Sequence, residues 1–265
     1  MGPIRENKED FPWWLVVVLA IGAYLAWQVV SDDLYVQILG TLTKGVRLTI
    51  FVTLVSFVLA SGLGLLLAVG AGSKYLVIRQ LCRFYVEVVR GVPIIVLLLY
   101  VAFALAPALV EFYNYLANLL GLDLIRTRQF PLLWRAIIAL MVAYSAFISE
   151  VFRAGLQSVD KGQIEAAQAL GLSRWQRFRL VVFPQAIRTI LPPLGNDFVA
   201  LVKDSSLVSV LGVLDVTQLG KVTAASNFRY FETYNVVALI YLTMTIGLSL
   251  LLRRLERHMR RKDFG

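Results

Sequence analysis

The chain has 265 residues, 58% hydrophobic and only 16% charged; soluble domains are roughly a quarter charged, so the composition excludes an ordinary water-soluble globule and points to a membrane protein. One cysteine, Cys82, and one histidine, His258, exclude a disulfide framework or a His/Cys metal site within one chain. The formal net charge of +9 admits nucleic acid or cytoplasmic loops, and because the bases cluster in alternate polar segments, the loop reading removes any need for nucleic acid.

The N-terminal MGPIRENKED mixes acids with bases and runs into FPWWLVVVLAIGAYLAWQVV. A cleaved signal peptide needs a basic start, a short apolar core and a small-residue cleavage site. This segment is longer and carries Trp13, Trp14 and Trp27 at its ends, so it is predicted to be an uncleaved spanning helix from Trp13 to Val30. Further apolar runs follow at Val46 to Ala71, Val92 to Val110, Leu132 to Ile148, Phe198 to Val216 and Val236 to Leu252. A span takes about 20 apolar residues, which gives about six spans in an all-α integral membrane protein.

In the second run Ala60, Gly64, Ala68 and Gly72 recur at every fourth position, placing small side chains on one face for close helix approach. Beyond the third run, EFYNYLANLLGLDLIRTRQF is amphipathic and reads as a short external interfacial helix or loop. Glu150 and Arg153, one turn apart, predict a local ion pair, and Glu87 with Arg90 predicts another. The fifth run contains Lys203, Asp204, Ser205 and Ser206, with Asn196 shortly before. Charges inside spans cost about a few kcal/mol each and face a cavity or a partner, so these five residues are the candidate lining of a polar route.

Orientation follows from Lys and Arg. The tail RRLERHMRRKDFG, the insert with Arg153, Lys161, Arg174, Arg177, Arg179 and Arg188, and the loop with Lys74, Arg79, Arg83 and Arg90 carry most of the basic charge. Placing all three on one side lets six spans alternate, with both termini cytoplasmic. The N-terminal segment and first helix occupy 1–36, a polar loop lies at 149–197 and a basic tail at 258–265.

Catalytic patterns fail on inspection. GTLTKG at Gly40 puts Val46 where a phosphate loop needs lysine, and GLSRW at Gly171 lacks the last glycine of a nucleophile elbow. The polar insert EAAQALGLSRWQRFRLVVFP behaves differently. Glu165 stands near a helix start, where negative charge suits the dipole. Ala166, Ala167 and Ala169 make a thin helix able to enter a partner's groove, and Gly171 can end it in a left-handed conformation. Ser173 caps a second helix, which Pro184 and its successors turn back towards the membrane.

Glu165-Ala166-Ala167, Gly171 and Pro184 fall at the spacing of the EAA loop, so the segment resembles that loop in permease subunits of ATP-binding-cassette (ABC) importers; Val181 and Phe183 replace its usual Ile and Leu. VEVVRGVPIIVLLLY, SAFISEVFRAGLQSV and LPPLGNDFVALVKDSSLVSVLGV are similar to the branch that moves polar amino acids. The resemblance covers roughly 37–257 and leaves the first helix outside. It implies a type I importer permease core in a bacterial inner membrane, with no catalysis or cofactor of its own. ATP and magnesium would be bound by a partner ATPase dimer gripping Glu165, Ala166, Ala167 and Gly171. A second permease, identical or homologous, a solute-binding protein and a polar amino acid complete the implied partners, with membrane lipid around them. The alternatives are a secondary amino-acid carrier, which often shows internal repeats, an amino-acid exporter, and an intramembrane enzyme, for which only the Lys203/Asp204 region offers groups.

Overall fold

The computed structural model describes residues 13–261. Residues 1–12, expected to be cytoplasmic, and the end of the basic tail, 262–265, lie outside the described residues. Among the described residues the regular structure is all helical: α1 (Trp13–Ser31), α2 (Asp33–Ala71), α3 (Leu76–Gly91), α4 (Ile94–Tyr100), α5 (Ala106–Leu120), α6 (Leu132–Gln157), α7 (Lys161–Ala169), α8 (Arg174–Arg177), α9 (Phe183–Asp204), α10 (Val216–Asn227) and α11 (Tyr230–Arg261). Asp33–Ala71, Ile94–Leu120, Leu132–Gln157 and Tyr230–Leu255 are each long and apolar enough to cross a bilayer.

The bundle is built around α6, which buries Ala136, Ile137, Ala139, Leu140, Ala143 and Ile148. The small-residue face of α2 packs on it. A Cβ added at Gly64 would lie 3.0 Å from the Ser145 carbonyl oxygen and 3.1 Å from Ser149 N, so a side chain there would crowd the α6 backbone. Ala60 and Ala68 are buried on the same face, as the four-residue spacing predicts, whereas Gly72 is only the C-cap of α2. Ser56 Oγ donates to the Ile137 carbonyl at 3.4 Å. Because Gly64 meets α6 further along both helices, α2 and α6 run in the same direction.

Two π turns interrupt the rods. Val101–Leu105 joins α4 to α5, and Phe178–Val182 joins α8 to α9. Each is followed two residues later by a proline, Pro107 or Pro184. Proline offers no N–H to the carbonyl four residues back and its ring collides with it; widening the turn removes both conflicts.

Several expectations change in the structure. The chain does not turn at Pro184, because the π turn lets helix continue from Arg174 into α9. The run Phe198 to Val216 is not one span: α9 ends at Asp204, a 3₁₀ segment covers Ser205–Leu211, and Gly212 takes a left-handed φ of 77°. The ending is local, since Ser205 Oγ turns back onto the Val202 carbonyl at 2.7 Å. Residues 111–120, expected in an external helix or loop, instead complete α5, and Gly121 ends it with φ 68°. Helix α11 continues through His258 to Arg261, so the start of the expected tail is helical.

Candidate functional site

Helix α7 protrudes from the end of the bundle where α6 finishes and α9 begins. Its first turn is capped by Asp160, whose carboxylate accepts from Gln163 N at 3.3 Å. Its root is fixed by Val159, Ala186 and Ile190, with Ile164 packed against them. A Cβ at Gly155 would lie 2.2 Å from Ile190 Cγ1, so glycine there lets α6 and α9 close behind the root. Gln185 Nε2 donates to Gln163 Oε1 at 2.6 Å, and Arg177 Nη1 donates to Gln168 Oε1 at 2.7 Å. These bonds tie both ends of α7 to the α8–α9 rod.

The predicted helix end holds: Gly171 is left-handed at φ 78°, and Leu172 N returns to the Ala167 carbonyl at 3.2 Å. Ser173 caps α8 as expected, accepting from Gln176 N at 3.3 Å while Gln176 Oε1 accepts from Ser173 N at 2.9 Å, a reciprocal capping box. Glu165, Ala166 and Gly171 are exposed, and Leu170 is 81% exposed. Ala167 is the exception, at 4% exposure. It packs inward one turn from Ile164 and holds the helix down, so it does not face a partner. Trp175, 66% exposed, stacks on Phe178 with centroids 5.8 Å apart.

The candidate polar route divides. Asn196 and Lys203 are exposed on α9, and Asp204 and Ser206 are half-buried. Ser205 is fully buried with its hydroxyl spent on the Val202 carbonyl, so it lines no open route. Asp204 pairs with Tyr144 of α6, whose hydroxyl donates to Oδ2 at 2.7 Å. Asp197 lies two turns before Asp204 on the same face of α9, and its Oδ2 is buried without a hydrogen-bond partner. Both carboxylates lie within electrostatic reach of Tyr144. Tyr144 and Asp197 were missed in sequence: a tyrosine in an apolar run gives no signal until its partner on another helix is known. The seven-residue spacing of the two aspartates was a readable one.

Glu150 and Arg153 form the expected pair, with Arg153 Nε donating to Glu150 Oε1 at 3.1 Å. Glu87 and Arg90 do not pair; the Arg90 guanidinium lies 5.9 Å from the Phe147 ring centroid. At the opposite end of the bundle, buried Asp215 caps α10, accepting from Gln218 N at 2.8 Å and from the Tyr241 hydroxyl at 3.1 Å. Burial pushes its carboxyl above the usual carboxylate range, against those hydrogen bonds. Val216 N donates to Thr49 Oγ1 at 3.3 Å, and a Cβ at Gly45 would lie 2.7 Å from Val216 N. Backbone therefore meets backbone where α2 crosses this network. Among the described residues, no group of three or more His, Cys, Asp or Glu side chains could hold a metal ion.

Residues 60–261 match the family model described as binding-protein-dependent transport system inner membrane component. The probable amino-acid permease protein YxeN of Bacillus subtilis (strain 168) is 36% identical over 219 residues, covering 83% of this chain and 91% of that one. The glutamine transport system permease protein GlnP of Escherichia coli (strain K12) is 36% identical over 221 residues, covering 83% and 93%. Among solved structures, an amino acid ABC transporter crystallised with histidines matches with a TM-score of 0.71 at 33% identity, covering 86% of this chain and 98% of that one. The inward-facing MetNI methionine ABC transporter shares the fold, with a TM-score of 0.62 at 21% identity over 83% and 96% of the two chains.

Proposed function

The chain belongs to the family of binding-protein-dependent transport system inner membrane components, and from that premise we propose that it forms the path for a polar amino acid and takes its drive through α7. It is the transmembrane permease subunit of an ABC importer, a multi-pass protein of the inner membrane. It does not hydrolyse ATP; that is the task of a separate subunit. Membership also implies a solute-binding protein and a second permease.

The observation that carries the coupling reading is the outward face of α7. Glu165, Ala166 and Gly171 are free of the bundle, while Ile164 and Ala167 fasten the opposite face. A rigid helix, small on its outer side and bearing one carboxylate, suits a cleft in an ATPase dimer. Closure of that dimer would push α7, and the continuous helix from Arg174 to Asp204 would carry the push to the polar face of α9. The α7 end is then cytoplasmic, together with Arg79, Arg83, Arg90 and the C-terminal helix, in keeping with the distribution of basic residues.

The solute path, within a core at 37–257, is assigned to Asn196, Lys203, Asp204 and Ser206, joined by Asp197 and Tyr144. A carboxylate pair beside one lysine offers sites for both the ammonium and the carboxylate of an amino acid, released inward by alternating access. The amino-acid class is supported by the relatives, one a glutamine permease by name. The deciding experiment reconstitutes the chain with its ATPase, partner permease and binding protein. Glu165→Ala should lower solute-stimulated ATP hydrolysis and uptake together while the complex remains in the membrane. Normal uptake with normal stimulation would overturn the coupling assignment.

A further inference from the structure

A cavity of about 700 Å³ opens at the α7 end of the bundle, between the last turns of α2, one side of α3, the end of α6 and the π turn of the α8–α9 rod. Its apolar walls include Leu67, Leu156 and Phe178. Its charged groups are Arg83 and Glu87 on α3, facing Glu150 and Arg153 on α6.

The two charged pairs differ. Glu150 and Arg153 satisfy each other. Arg83 and Glu87, one turn apart on the face of α3 that lines the cavity, make no hydrogen bond or ion pair among the described residues. Their Cβ atoms are about 5–6 Å apart by helix geometry. A guanidinium and a carboxylate on successive turns beside apolar walls suit a ligand that carries both signs on adjacent atoms. The Arg83 fork takes a carboxylate in bidentate fashion, Glu87 takes an ammonium, and an attached side chain lies against Leu67, Leu156 and Phe178.

We propose that this cavity binds a free zwitterionic α-amino acid entering from the α7 side, a site separate from the polar face of α9. The proposal rests on the reading above that the α7 end is cytoplasmic and that amino acids are the cargo. Phe178 belongs to the cavity wall and also stacks on Trp175 of α8. An occupant therefore touches bundle and rod at once and resists their relative movement. Accumulated product would slow further uptake from the inside.

The test uses the assembled transporter in vesicles with the α7 side inward and ATP enclosed, and L-glutamine as the probe. Enclosed L-glutamine should slow uptake of labelled L-glutamine supplied outside on the binding protein. Enclosed N-acetyl-L-glutamine, which lacks the ammonium, and L-glutamine amide, which lacks the carboxylate, should not. In Arg83→Gln and Glu87→Gln the inhibition constant should rise roughly tenfold, the loss of one charge-assisted contact, with uptake into empty vesicles unchanged. Equal inhibition by the two blocked analogues, or full inhibition in both variants, overturns the proposal. So does a slowing that follows the phosphatidylethanolamine content of the vesicles, a lipid whose headgroup has the same pair of charges. Uptake into empty vesicles scores the transport reading separately. Equilibrium binding of labelled L-glutamine to the purified chain and to both variants decides the site even where uptake fails.

Discussion

The two π turns solve the same local problem and end in different circumstances. Both precede a proline, and both widen the helix so that the carbonyl four residues before it is not crushed. The turn at Val101–Leu105 is enclosed, with Val101 and Ala102 buried. Arg135 of α6 reaches into it, donating to the Ala102 carbonyl at 3.0 Å through Nη1 and to the Phe130 carbonyl at 3.0 Å through Nε. Its Nη2 bonds the Thr127 carbonyl, and its guanidinium lies 5.7 Å from the Phe130 ring centroid. The turn at Phe178–Val182 has no buried residue. One widened turn is pinned by a cation; the other lies exposed beside α7. The first fastens the loop after α5 to the bundle, and the second leaves the rod behind α7 freer to bend.

The largest effect should come from unpinning the enclosed turn. Arg135→Met removes the donor for three carbonyls, and at about 1–3 kcal/mol for a buried group left unsatisfied the loss should total ~3 kcal/mol. A fall in thermal midpoint of the detergent-purified protein checks it, and an unchanged midpoint would show that the two turns are equally free. Next comes Gly171→Ala. A side chain at φ 78° costs about 1–2 kcal/mol, and with nothing near its Cβ position the strain stays local. Uptake should drop several-fold in a protein that still assembles. Pro184→Ala should follow, because it removes the reason for the exposed π turn. The rod can then close into plain α-helix, rotating α8 and α7 against α9 and weakening ATPase stimulation. Pro107→Ala should do much less, since Arg135 still holds the Ala102 carbonyl; comparing uptake by the two proline variants sharpens the contrast. The smallest change is expected from Asp204→Asn, which keeps a partner for the Tyr144 hydroxyl but removes a charge. Solute affinity or preference should shift modestly, and uptake kinetics identical across several amino acids would remove Asp204 from the path.

What could be read in the sequence was whatever depends on near neighbours. Gly171 as a left-handed helix end, Ser173 as a cap, the small face at Ala60, Gly64 and Ala68, and the Glu150–Arg153 pair all follow from spacing along one helix. Features set by a second element stayed hidden. Ala167 looked like its neighbours in a run of alanines, and only the position of the rod behind α7 decides that it faces inward. Ser205 looked polar and available, but the end of α9 turns its hydroxyl onto its own backbone. The apolar run from Phe198 satisfied the composition of a span, since hydropathy averages over the Ser205–Leu211 segment and does not register Gly212. Arg135 lay inside a predicted span with no visible partner, because its carbonyls come from a bulge and a loop on either side. The polar candidates on α9 were legible as a group; that Tyr144 of α6 holds Asp204 was not.

Helix α2 is a single long rod. It is continuous through 39 residues, at a rise of 1.5 Å each about 58 Å, well beyond the roughly 30 Å of bilayer hydrocarbon. Its Gly45 lies against the backbone at Val216, and its Leu67 is in the wall of the far cavity, about 33 Å along the axis. Such a rod acts as a lever: a tilt of about 5° at one contact displaces the other by about 3 Å. Movement at the α10 contact and occupancy beside Arg83 would thus be felt by the same stiff beam.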